Sequence, residues 1–221
     1  MLSVYKKLAA EREAQGIPAL PLNSEQVEEL TKLLENPIEK DSQELLYLLM
    51  QRIPPGVDEA AYIKATWLSA IANEKLNSPL VTPLEATKLL GTMIGGYNVA
   101  ALIEILNNEN SKLANCAAQG LSHTLLVYDA VNDVFELAKT NPFAKKVINS
   151  WADGEWFTSK ASLPEEIIVT VFKVTGETNT DDLSPATHAT TRPDIPLHAL
   201  AMLETRDPNA LATIEANKKK R

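Results

Sequence analysis

The sequence predicts a mainly α protein, stacked helix pairs over residues 1–158 followed by an incomplete α/β segment over 159–221. Three observations carry this reading: helix-cap signals recur through the first part, the connections between them are only a few residues long, and a β-branched run breaks the pattern after Ser159. Short links between successive helices make neighbours pack antiparallel. A chain of 221 residues with 45% hydrophobic and 23% charged residues has globular composition and room for two small domains.

The elements follow in order. Asn23-Ser-Glu-Gln26 sets a capping side chain at the N-cap and a glutamine at N3, with Leu22 placed to staple onto Val27, and Val27, Leu30, Leu33 and Leu34 mark one helix face. Asp41-Ser-Gln-Glu44 repeats the arrangement ahead of Leu45, Leu46, Leu48 and Leu49. Val57–Lys75 comes next, and Thr82-Pro83-Leu-Glu85 then adds a proline at the first helical position. Gly96–Asn107, Ser111–Val127 and a stretch from Asp129 to Lys139 read as helices, and Asn141-Pro142 opens another. Seven to nine helices of about 10–18 residues fit a compact bundle or a stack of pairs resembling HEAT repeats, although no consensus recurs at a fixed period. The reading taken is the stack.

Glu166-Ile-Ile-Val-Thr-Val-Phe-Lys-Val174 has the composition and length of a strand. A polar loop runs from Thr175 to Pro196, and Leu197–Leu203 and Leu211–Asn217 read as helical. One strand makes no sheet, so the segment is expected to be completed by something else. The tail Lys218–Arg221 reads as a charged helix end complementing the helix dipole rather than an RNA contact.

Charge and cysteine usage exclude several functions. A net charge of −8 and a pI near 5.0 argue against holding nucleic acid by bulk charge, leaving only a local basic patch. The single Cys116 allows no intrachain disulfide and no cysteine-rich metal site from this chain alone. No apolar run reaches the roughly 18–20 residues of a membrane span, and the N-terminus lacks a signal-peptide apolar region, so a cytoplasmic protein is expected.

Candidate chemistry is sparse in the helical part. His123 reads as a partly buried core residue, Cys116 as a buried inert thiol, and Gly91-Thr-Met-Ile-Gly-Gly96 as a helix–helix turn without phosphate-loop context. Trp151, Trp156 and Phe157 read as packing residues. The loop 175–196 is richer. Asp181, Asp182 and Ser184 suit a binding loop or a solvated turn, the turn being favoured on composition alone. Arg192 precedes Pro193, which favours extended backbone there, and its planar fork suits a carboxylate ligand, the alternative being an ion pair to Asp194 or Asp182. His188 and His198 are too few to argue a metal site.

Phe172-Lys-Val-Thr-Gly-Glu-Thr-Asn-Thr-Asp-Asp-Leu-Ser-Pro-Ala186 followed by Arg192-Pro-Asp-Ile-Pro-Leu-His-Ala-Leu200 resembles the start of the swivel domain in the bacterial aconitate hydratase B family. Arg52-Ile-Pro-Pro-Gly-Val-Asp-Glu-Ala-Ala-Tyr62, Leu90-Gly-Thr-Met93, Gly95-Gly-Tyr-Asn98 and Leu121-Ser-His-Thr-Leu-Leu126 resemble that family's N-terminal HEAT-like domain, in the same order. The resemblance spans essentially 1–205 and implies HEAT-like helices over 1–158 and the first, incomplete part of the swivel domain over 159–221. It further implies a parent enzyme of the tricarboxylic acid cycle that interconverts citrate and isocitrate through cis-aconitate, a lyase reaction at a 4Fe-4S cluster, and that often accepts 2-methylcitrate-pathway intermediates. Residue by residue, Arg192 matches an arginine that binds a substrate carboxylate, and Asp181 matches an aspartate that supports the serine base. Asp182 stands where many relatives carry histidine, and Ser184 reads as shaping the loop.

The cluster cysteines and catalytic serine are expected beyond residue 221, so this chain is expected to hold no cofactor and to be inactive alone. What the resemblance leaves to the helical domain is protein association, self-association included, substrate access, and messenger RNA binding by cluster-free enzyme. The competing reading is a standalone interaction or regulatory protein that keeps the fold without the catalytic part.

Overall fold

Every regular element among the described residues, 1–219 of the computed structural model, is helical. The mainly α expectation holds, and most helices start where a side chain can cover amides that lack an intrahelical acceptor. In α2, Ser24–Glu35, Asn23 Oδ1 accepts from the Gln26 amide at 2.9 Å and Gln26 Oε1 accepts from the Asn23 amide at 3.0 Å. Leu22 and Val27 are both buried, as the staple requires. The same reciprocal pair forms between Thr82 and Glu85 at the start of α5, Pro83–Leu90. At α9, Pro142–Asp153, Asn141 Oδ1 accepts from the amides of Phe143 and Ala144, while Asn141 Nδ2 donates to Leu106 O at 2.9 Å. Asp58 caps α4, Glu59–Ala72, and Asn110 caps α7, Ser111–Ser122.

The expected cap at Asp41 does not form. A 3-10 turn over Glu39–Asp41 runs directly into α3, Ser42–Gln51, leaving Asp41 at φ −99°, ψ −6° rather than in the extended geometry that aims a capping side chain at the first turn.

The chain forms two units. In the first, Met1–Ser3 with Leu20–Ala161, the helices α2, α4, α5, α7 and α9 pack in series, each on the next. Helix α3 lies on α2, α6 (Val99–Ile105) on α7, and α8 (Ala130–Leu137) on α9. Packing of this kind joins each helix mainly to its neighbours, as in a helical array. Leu30, Leu34, Leu48, Leu68, Leu90 and Leu102 are fully buried, each contributing roughly 1.5–3 kcal/mol by removal from water. Glycine sets how closely α5 and α7 approach: a Cβ on Gly120 would lie 2.9 Å from the Gly91 Cα, so neither position admits a side chain without a backbone shift. The segment Gly91–Gly96 is the helix–helix turn expected. Lys64 of α4 is 3% exposed and, with no hydrogen bond or ion pair among the described residues, burial pushes its ammonium down to about 8. Trp151 donates from Nε1 to Leu121 O at 3.0 Å, whereas Phe157 on the short helix α10, Glu155–Thr158, is 66% exposed with its ring 5.7 Å from that of Trp156.

The second unit joins Val4–Ala19 to the residues after Ala161. It holds most of α1, Leu2–Glu13, and three later helices, α11 (Thr180–Leu183), α12 (Ile195–Ala199) and α13 (Ala210–Lys218). The strand expected over 166–174 is absent: no β-ladder forms among the described residues, and Ile167, Val169 and Val171 are exposed. Residues of high β propensity become a strand only when a neighbouring strand accepts their backbone groups. The helix expected over 197–203 starts earlier and gives way to turns after α12, with Leu203 at φ +62°. In the tail, Lys218 pairs with Glu215 at 3.4 Å, and Lys220 and Arg221 lie outside the described residues.

Candidate functional site

The loop that carries Asp181 and Arg192 is built from short helical turns, each secured by an outside partner. At its start, Asn179 Oδ1 accepts from the Asp182 amide and Asp182 Oδ2 accepts from the Asn179 amide, both at 3.0 Å, closing a capping box on α11. Arg206 adds a second hold, donating from Nη1 to Asp182 Oδ2 and from Nη2 to Thr175 O, each at 2.6 Å. The Leu203 amide donates to Asp182 O at 2.7 Å. The Asn179 amide, and after it Arg206, holds the Asp182 carboxyl below its ordinary value.

Farther along, His198 ties two parts of the loop together. The one hydroxyl hydrogen of Thr191 goes to His188 O at 2.8 Å, so Thr191 Oγ1 accepts from His198 Nδ1 at 2.8 Å. In the neutral ring Nε2 is then the acceptor, and Ser184 Oγ donates to it at 2.8 Å. His188 meets Glu204 at 2.8 Å. Ser184 thus shapes the loop through a histidine that spacing alone had suggested only as an insufficient metal ligand.

Asp194 closes the loop. It caps α12 through the Leu197 amide at 3.2 Å and receives both Nη atoms of Arg12, at 2.6 and 2.9 Å. Arg12, first, and the Leu197 amide hold its carboxyl below the ordinary value. The two aspartates considered as partners for Arg192 are therefore taken by other arginines. Arg192 is exposed and, although its amide donates to Ala189 O at 3.3 Å, its side chain makes no hydrogen bond or ion pair among the described residues; the side chain of Asp181 is likewise exposed and makes none there. Arg192 also departs from the extended backbone expected before a proline: it lies at φ −53°, ψ −36°, ending the 3-10 turn Ala186–Thr191. Arg12 and Arg206 were invisible to motif reading, since neither lies near its aspartate in the chain.

The helical unit brings no second catalytic set together. His123 is exposed at the C-cap of α7, its Nδ1 3.0 Å from Gln119 O, and not in the core as expected. Cys116 is buried, and burial pushes its thiol up, in keeping with an inert group. No cluster of three or more His, Cys, Asp or Glu side chains able to hold a metal ion occurs among the described residues, and no helix there is long and apolar enough to cross a membrane.

Fold and loop together define a class of protein: a helical array followed by a braced, loop-rich segment that exposes an uncompensated arginine. Residues 4–157 match the family described as aconitate B N-terminal domain, and residues 169–221 match the aconitate hydratase 2 N-terminus. The chain belongs to the aconitate hydratase B family. It is 58% identical over 220 residues to aconitate hydratase B of Synechocystis sp., which covers 100% of this chain and 25% of that protein. The corresponding proteins of Escherichia coli and Helicobacter pylori are 57% identical over 205 residues and 49% over 222, covering 92% and 99% of this chain and 24% and 26% of theirs. The chain spans about a quarter of the length of the curated relatives it matches.

Proposed function

We propose that this chain is the N-terminal portion of a cytoplasmic aconitate hydratase that interconverts citrate and isocitrate through cis-aconitate, with Arg192 binding a substrate carboxylate. The observation that carries the reading is that Arg192 is unpaired while its neighbouring aspartates are occupied by Arg12 and Arg206. An arginine with no internal carboxylate to release offers its whole fork to a ligand, and two parallel charge-assisted hydrogen bonds fix the ligand's orientation as well as its affinity. Asp181, exposed one residue before a carboxylate already committed to the fold, takes the supporting role toward the proton-transferring base.

The family's 4Fe-4S cluster requires a set of thiolates. Cys116 stands alone and is buried, so the residues present do not fit that group. The stretch 1–158 is assigned the HEAT-like role and 159–221 the opening of the swivel domain, although Val4–Ala19 packs in the second unit. For the helical unit we infer protein association as its own contribution. A mostly apolar groove of about 170 Å³ lined by Leu46, Met50, Leu80, Val81 and Leu89 together with Glu85 and Lys88 supports this better than messenger RNA binding, given the chain's net charge of −8.

The test is to express the longest product of the reading frame, reconstitute the cluster, and compare Arg192→Ala and Arg192→Lys with the parent on isocitrate. The alanine variant should lose about tenfold or more in kcat/KM, and lysine, which restores charge without the fork, should recover part of it. Unchanged kcat/KM in Arg192→Ala would exclude the carboxylate role. A reading frame that stops at 221 would instead favour the standalone interaction protein.

A further inference from the structure

Arg192 is bracketed. Thr191, immediately before it, is tied to His198, and Asp194, two residues after it, is gripped by Arg12 from α1. The Asp194 amide donates to Thr191 O at 2.9 Å, so these two residues are the ends of a single turn with Arg192 and Pro193 at its centre. Local sequence does not favour that turn, because a proline disfavours helical backbone in the residue before it, and Arg192 nonetheless adopts it. The turn is held by side chains from outside.

Of the two holds, the one from Arg12 reaches across 182 positions of sequence and uses all of the guanidinium. Nη1 and Nη2 meet the two oxygens of Asp194 at 2.6 and 2.9 Å, while Nε donates to Pro18 O at 2.6 Å. The Pro18 carbonyl arrives there because the chain reverses after α1, with Gly16 at φ +74°. The side chains of Arg12 and Asp194 are 12% and 20% exposed, unlike the open, single-contact surface pairs that contribute little. A lysine could reach one carboxylate oxygen but could not hold both and Pro18 together.

We propose that Arg12 is a positioning residue for Arg192: by locking Asp194 it sets the turn, and with it the direction in which the Arg192 guanidinium leaves the loop. The N-terminal helix is on this account part of the substrate-carboxylate platform, through its Val4–Ala19 stretch. The proposal rests on the carboxylate-binding reading of Arg192.

The test measures Arg12→Ala, Arg12→Lys and Arg192→Ala in the cluster-reconstituted longest product, and amide exchange on the same variants of the 221-residue chain. Arg12→Ala should raise KM for isocitrate about tenfold while kcat changes much less, with Arg12→Lys between it and the parent. Exchange at the Asp194, Leu197 and His198 amides should accelerate in both Arg12 variants. If Arg12→Ala does not fold, the lysine variant carries the same test. A parental KM in the Arg12 variants beside an impaired Arg192→Ala overturns the positioning role alone. Parental kinetics in Arg192→Ala overturn the carboxylate reading and this proposal with it.

Discussion

The helical unit has a large buried apolar core and exposed ion pairs, whereas the second unit buries fewer apolar side chains and shields its arginine–aspartate pairs. Leu30, Leu34, Leu48 and Leu68 are fully buried, while Lys75–Glu104 and Lys139–Glu136 join side chains more than half exposed. After Ala161, Ile167, Val169, Val171 and Ile195 face solvent, and the arginine–aspartate pairs Arg12–Asp194 and Arg206–Asp182 are the shielded contacts. Apolar burial is non-directional and stabilises in proportion to area, so it suits a scaffold. Paired and capped carboxylates are directional, so they suit a loop whose task is to point an arginine in one direction.

The comparison can be broken in three places. The largest effect is expected from Leu68→Ala, which removes a fully buried side chain of α4 and should cost about 2–5 kcal/mol in the helical unit, read from urea unfolding by tryptophan fluorescence. A loss under about 1 kcal/mol would mean that packing is not the unit's main support.

Lys64→Met tests the one buried ammonium in that scaffold. Because the folded-state pKa is about 8 against the ordinary 10.5, the unfolded chain binds more protons between these values. Stability should therefore be flat below pH 8 and rise by at most about 3 kcal/mol as pH increases through the interval. Lys64→Met should abolish the rise and be the more stable protein at pH 7. Matching slopes in urea midpoints for parent and variant would show that the ammonium is not desolvated.

The smallest effect concerns acid. Both Asp182 and Asp194 are held below their ordinary 3.8, so their contribution is complete above that value and is lost as pH falls through the lower folded-state values. Exchange at the Leu203 and Leu197 amides, corrected for intrinsic rate, should accelerate below about pH 4 while amides in α4 stay protected. Simultaneous loss in both regions would contradict the division between apolar and ionic support.

Legibility followed the range of the interaction. The caps at Asn23, Thr82 and Asn141 were readable because a side chain acts on amides two or three residues away. Asp41 misled because the turn preceding it, itself a local preference, changed its backbone. His123 sits one residue past the end of α7, and the small shift from helix interior to C-cap moved it from core to solvent. In the loop, the family resemblance singled out Asp181 and Arg192; the capping spacing from Asn179 to Asp182 is a local signal that separates Asp182 from Asp181, whereas the hold from Arg206, 24 residues on, has none.

Residue order by itself determined the succession of capped helices, the presence of a single cysteine, and the family, since caps act within one helical turn, the cysteine is a matter of composition, and the family is carried by motifs in fixed order along the chain. Only the tertiary structure decided that the run 166–174 has no ladder here, that Arg192 turns back before its proline, and that Arg12 rather than Arg192 answers Asp194. A strand, a braced turn and a long-range ion pair each need a partner whose place depends on the path of the whole chain, and no local preference encodes that path.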